Sequence, residues 1–141
     1  MNKKIPVILL IAALCACSPS VRENRNIDQN STVDLLFRDG DIFVGQASYY
    51  GDEFHGRTTA SGEIFDMYDK TAAHKHLPFN TVLKVTNQLN NRSVIVRIND
   101  RGPFKKERII DLSYQAAKEI DMLGDGIVMV KVQILQLGST E

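Results

Sequence analysis

Ser93-Val94-Ile95-Val96-Arg97-Ile98-Asn99-Asp100-Arg101-Gly102-Pro103-Phe104, SVIVRINDRGPF, is a strand that runs straight into a turn. Val94, Val96 and Ile98 fall on one face and Ser93, Arg97 and Asn99 on the other, with Ile95 the exception. That period of two marks a half-buried strand. Its end sets a carboxylate beside a guanidinium and then bends the chain. As a turn the segment is complete: an Asp side chain caps backbone groups, Gly bends and Pro fixes. The other reading is a reactive acid held at the lip of a groove. Residue types alone favour the turn.

Three further segments share the pattern. Phe43 to Tyr50 is rich in strand formers and stops at Gly51. Thr81 to Asn87, TVLKVTN, sets Leu83 and Val85 on one face. Val128, Val130, Val132 and Ile134 alternate with Met129, Lys131, Gln133 and Leu135. Gln88 to Arg92 reads as a hairpin, because Asn tolerates the left-handed backbone of a tight turn. Ser113 is placed to cap a helix from Tyr114 to about Met122, stopped before Gly124. Short strands with one or two short helices predict an all-β fold, a small closed barrel over residues 41–137, with 138–141 as a tail. About a hundred residues suffice for one core.

Upstream, Lys3 and Lys4 precede an apolar run of about ten residues, Ile5 to Leu14, too short to span a bilayer. Leu14-Cys15-Ala16-Cys17 resembles the bacterial lipoprotein signal. The resemblance implies that residues 1–16 are removed and that Cys17 carries lipid. Several acyl chains, at about 0.8 kcal/mol per buried methylene, would hold the protein on a membrane. Ser18 at the next position points to the periplasmic face of the outer membrane, or to the cell membrane in a monoderm source. Residues 17–40 read as the lipidated N-terminus and a flexible linker, polar and without periodicity. With Cys15 and Cys17 so used, the domain has neither a disulfide nor a thiol for catalysis or metal binding. The chain has 17 basic and 17 acidic residues, and loss of Lys3 and Lys4 leaves 15 against 17, a net charge of −2. That balance argues against a nucleic-acid partner and is compatible with a mixed-charge polymer.

The densest polar segment is Phe54 to Tyr68, FHGRTTASGEIFDMY, followed by TAAHKHLPF. It holds Glu63 and Asp66 three residues apart, several aromatics and His55, His74 and His76. Long loops in compact domains usually carry function. Plainer readings exist: a solvated loop edge for Glu63 and Asp66, core or lid for Tyr49, Tyr50, Phe65 and Tyr68, and a strand-to-helix junction for Asp111. A zinc site on the histidines is the weaker alternative, since no nearby pattern fixes a ligand set.

Taken together, GQASYYG, FHGRTTASGEIFDM, TAAHKHLPFNTVLKVTN, RSVIVRINDRGPF and RIIDLS resemble the RlpA (rare lipoprotein A) family, from about Val44 to Leu135. The resemblance implies a six-stranded double-psi β-barrel with a glycan groove across its face. It implies a lytic transglycosylase that cuts peptidoglycan between N-acetylmuramic acid and N-acetylglucosamine, leaving a 1,6-anhydro end, with no cofactor and no metal. In the family's terms Glu63, Asp66 and His74 are required, and Asp100 matches an acid shared with expansins. Tyr49, Tyr50, His55, Arg57, Thr59, Phe65 and Arg101 are the candidate substrate-binding residues. The family's usual Trp is Tyr49 here, which weakens a stacking platform. The resemblance is to a short form without the SPOR domain, and the implied partner is the glycan strand, met by a monomer.

Cleavage of a glycosidic bond needs a proton for the leaving oxygen and support for an oxocarbenium-like transition state. A sugar's own 6-hydroxyl can replace water, so one carboxyl group can serve as acid and then as base. Asp100 is the first candidate, and Glu63 and Asp66 remain alternatives. Arg101 would favour a charged neighbour if the side chains met, but adjacent strand residues point to opposite faces. A non-catalytic, expansin-like glycan binder is the alternative function.

Overall fold

The computed structural model describes residues 36–139; the signal stretch, Cys17 and most of the linker lie outside them. Six strands build the fold: β1 (Ile42–Tyr49), β2 (Thr71–Ala73), β3 (Val82–Asn87), β4 (Ser93–Asp100), β5 (Arg108–Leu112) and β6 (Val128–Gln136). They close into a barrel in the order β1-β5-β2-β4-β3-β6. Two of the pairings are parallel, β1 with β5 and β2 with β4, and the others are antiparallel. This is the double-psi barrel expected from the resemblance.

The alternating residues fill the interior. Val94, Val96 and Ile98 of β4 are 3%, 1% and 0% exposed, whereas Ile95 is 54% exposed, so the exception to the pattern faces outward. Leu83, Val85, Val130, Val132 and Ile134 join them in the core. Asn99 has outward parity and is nevertheless buried, because the long loop before β2 covers it. Asn91 takes φ 60° in the β3–β4 connection, as the hairpin reading requires.

An α-helix, α1 (Tyr114–Glu119), follows β5, and a 3-10 turn spans Asp52–Phe54. Ser113 Oγ caps α1 by accepting from the Ala116 N–H at 3.2 Å. The helix ends short of Met122: Asp121 takes φ 52°, outside helical space, although Met122 itself stays buried. Strand β2 escaped the periodicity reading because its three residues are all buried and show no alternation. The end of the segment read as flexible linker is docked. Phe37 packs on the core beside Phe43, and the Gly40 N–H donates to the Ile134 carbonyl at 2.8 Å.

The register across β1, β5, β2 and β4 aligns Ser48, Asp111, Ala73 and Asp100 in one row. The two acids therefore flank an alanine, about two strand spacings or ~10 Å apart along the backbone.

Candidate functional site

Asp100 ends β4 between two neighbouring cavities of about 500 and 230 Å³. Asp100, Tyr50 and Phe54 line both. Asp100 Oδ1 accepts from the backbone N–H groups of Ala60 and Arg101 at 2.9 and 2.8 Å. Its Oδ2 accepts from the Tyr50 hydroxyl at 3.2 Å. The turn reading and the reactive-acid reading thus hold together, one oxygen capping backbone and the other meeting a hydroxyl in the cleft. Burial, and then the charges of Asp100 and Asp111, push the Tyr50 phenol far above its ordinary range, so it keeps its proton. The Tyr50 ring is fixed by Phe54 and Phe65, with centroids at 5.4 and 5.3 Å.

Strand pairing places a second polar group against the larger cavity. Ser48 Oγ donates to Asp111 Oδ1 at 2.6 Å, and Arg108 Nη1 donates to Ser48 Oγ at 2.7 Å. Arg108 Nε lies 3.7 Å from Asp111 Oδ1 and is buried without a hydrogen-bond partner. Asp111, read from sequence as a junction residue, therefore lines the cavity, while Ser113 secures the junction by capping α1.

The other candidates separate. Tyr49 and Arg101 line the larger cavity, and Arg57, Thr59 and Phe65 the smaller. The Tyr49 hydroxyl donates to the Leu123 carbonyl at 3.2 Å. The Arg101 guanidinium is engaged elsewhere than on the Asp100 carboxylate: its Nη1 donates to the carbonyls of His74 and Leu77 at 3.3 and 3.0 Å. Its guanidinium stacks 3.9 Å from the centre of the Phe79 ring.

Glu63, Asp66 and His74 line neither of these two cavities, nor does His55, so of the four residues implied as catalytic Asp100 alone stands on their walls. Glu63 is gripped from outside the barrel by Arg97, at 2.6 and 2.9 Å, and by Asn99 Nδ2 at 3.1 Å. The Arg97 hydrogen bonds hold its carboxyl below the usual range, so it stays ionised. Asp66 Oδ1 accepts from the Tyr68 N–H at 2.9 Å and lies 3.7 Å from His55 Nδ1, which itself accepts from the Met67 N–H. His74 Nδ1 accepts from the His76 and Leu77 N–H groups at 3.1 and 3.0 Å. Burial first, then His76, Arg101 and Lys75, lowers its pKa to about 4, so the imidazole is neutral. Among the described residues no group of three or more His, Cys, Asp or Glu is placed to hold a metal ion.

Phe54, Phe104, Lys105, Ser48, Arg108 and Asp111 are among the additions to the sequence-based set. Ser48 and Asp111 are 63 positions apart, and only the parallel pairing of β1 with β5 makes them neighbours.

A model of the family described as "Lytic transglycolase" matches residues 42–132. The chain belongs to the lytic transglycolase family. Within it, the chain resembles the protein named endolytic peptidoglycan transglycosylase RlpA of Helicobacter pylori, at 57% identity over 99 residues, covering 70% of this chain and 31% of that protein. The chain spans about a third of the length of the curated relatives it matches. Two solved structures resemble this lytic transglycolase barrel. The Streptomyces papain inhibitor superposes with a TM-score of 0.58 at 22% identity, over 71% of this chain and 99% of that one. The apo expansin of Clavibacter michiganensis gives 0.56 at 18%, over 71% and 53%. At these identities the two likenesses carry the fold alone.

Proposed function

We propose that this domain is a peptidoglycan lytic transglycosylase that cleaves the N-acetylmuramic acid–N-acetylglucosamine bond, with Asp100 as acid and then base. The observation that carries this reading is the position of Asp100 on the shared wall of both cavities, beside Tyr50. A glycan strand laid through both places one glycosidic linkage over the carboxyl group.

Oδ1 is held by two backbone donors, so Oδ2 is the oxygen that exchanges the proton. The Tyr50 hydroxyl suits either state, accepting from a protonated Oδ2 or donating to an ionised one. Asp100 gives its proton to the leaving glycosidic oxygen as the bond to C1 of muramic acid breaks. The 6-hydroxyl of that sugar then closes on C1 and returns its proton to Asp100. The products are a 1,6-anhydro end and a new hydroxyl on the released strand; no water is consumed and the acid is regenerated. Asp111, two strands away from Asp100 and fixed by Ser48, adds negative charge to the wall of the larger cavity, which favours a developing cation. Glu63, ionised and clamped, fits a positioning role rather than proton donation. Lipid on Cys17 would hold the domain at the periplasmic face of the outer membrane, within reach of the wall.

The test is incubation of purified full-length protein with peptidoglycan, followed by mass spectrometry. Release of 1,6-anhydromuramyl products by wild type, and their loss in Asp100→Asn, is the expected result. Binding to the wall without such products would replace this reading by the non-catalytic, expansin-like one.

A further inference from the structure

Phe104 follows the Asp100 turn directly and is 93% exposed, the most exposed large apolar side chain among the described residues. Full burial of a Phe side chain stabilises by about 1.5–3 kcal/mol, none of which the folded chain gains here. Exposure of single apolar residues is common and by itself means little; Leu89, at 71%, is of that kind and lines neither cavity. Phe104 differs in position. It lines the larger cavity together with Asp100 and Lys105. Its Cε2 lies 3.7 Å from where a Cβ on Gly102 would stand, so the ring folds back along the turn that carries the acid. Gly102 holds φ 133°, a conformation that side-chain-bearing residues rarely adopt. The turn is therefore shaped to bring the ring to the lip of the cleft.

We propose that Phe104 is a stacking platform for a pyranose ring one or more units away from the cleaved bond, on the side of the larger cavity. A pyranose offers a face of C–H groups and a rim of hydroxyls and amides. An aromatic ring with a lysine next to it in the chain, both on the same cavity wall, matches that pattern, face to face and rim to ammonium. The platform would take over from Tyr49, whose hydroxyl is engaged with the Leu123 carbonyl. The proposal rests on the glycan substrate of the preceding section, not on its chemistry.

The chain contains no Trp, so a single Trp at this position is a clean reporter. Full-length Phe104→Trp and, as control, Leu89→Trp are titrated with glycan strands freed of stem peptide and with stem peptide alone. A saturable emission change in Phe104→Trp with glycan, absent with peptide and absent in Leu89→Trp, is expected. Kinetically, Phe104→Ala raises KM about tenfold with kcat within about twofold, and Phe104→Tyr restores it. No emission change with strands that wild type binds, an equal response to stem peptide, or an unchanged KM in Phe104→Ala overturns the platform. An emission change with no anhydro product from wild type keeps the platform and removes the lytic reading instead.

Discussion

The guanidinium of Arg97 holds both carboxylate oxygens of Glu63, at 2.6 and 2.9 Å, on the outer face of β4. The loop carrying Glu63 is closed by the Thr59 N–H on the Glu63 carbonyl at 2.7 Å, and between them Ala60 turns its N–H onto Asp100. The ion pair therefore positions a donor to the acid without touching the cleft. Glu63→Gln is expected to lower kcat by about 10–100-fold, because the Ala60 donor drifts from Asp100. Both side chains are more than a third exposed, so stability should change by no more than about 1 kcal/mol. Arg97→Lys should do the same, since an ammonium cannot grip two oxygens. Product release and thermal unfolding of both variants check this; an active Arg97→Lys beside a dead Glu63→Gln would mean that Glu63 meets the substrate.

Tyr50 and Asp100 make a second pairing that can be cut cleanly. Tyr50→Phe keeps the ring between Phe54 and Phe65 and removes only the hydroxyl on Oδ2. A hydrogen bond to a charged group contributes about 1.5–3 kcal/mol, so kcat should fall about 10–100-fold. Binding of glycan to the variant, measured by co-sedimentation with wall material, should be retained.

His74 gives the fold a pH dependence. Its pKa lies near 4 in the folded protein against an ordinary value of 6.5, so the unfolded chain binds its proton first as pH falls. This contribution to stability is complete above about 6.5 and is lost as pH falls toward about 4. Glu63 is also depressed, and its contribution is lost only below the ordinary glutamate value of 4.5. Thermal melts from pH 8 to 3 should therefore fall in two stages. His74→Ala should remove the upper stage and cost about 1–3 kcal/mol for each backbone N–H left without an acceptor. His74→Asn, whose side-chain oxygen can accept, should recover part of that loss.

Much of this molecule is legible in its sequence because the barrel's strands alternate. Val94, Val96, Ile98 and the β6 valines declare their burial by period alone, and Asn91 declares its turn. Strand β2 is silent because it is short and covered on every side. The candidate site is legible only in part. Asp100 stands out because a polar turn closes an alternating strand, and Tyr50 because it follows one. Glu63 and His74 stand out as motif residues, yet chain order cannot reveal that Arg97 pulls one outward or that Phe37 and Phe43 bury the other. The place of Asp111 in the cavity wall is hidden for a similar reason. Its neighbour Ser48 is brought to it by a parallel crossover, which leaves no local pattern.

That crossover supports the last prediction. Asp111 is 7% exposed and shares Ser48 with Arg108, whose Nε has no acceptor. Removing one member of a buried charged pair leaves the other uncompensated, at a cost of about 3 kcal/mol. Asp111→Asn should therefore destabilise the barrel as well as slow cleavage, and activity alone could not separate the two effects. Arg108→Met removes the cation, and the double variant Arg108→Met/Asp111→Asn should regain stability, because neither charge then lies buried alone. If Asp111 serves the reaction through its negative charge, the double variant will melt near wild type and still cleave glycan at least about tenfold more slowly. Recovery of both stability and cleavage would show that the pair only holds β1 against β5.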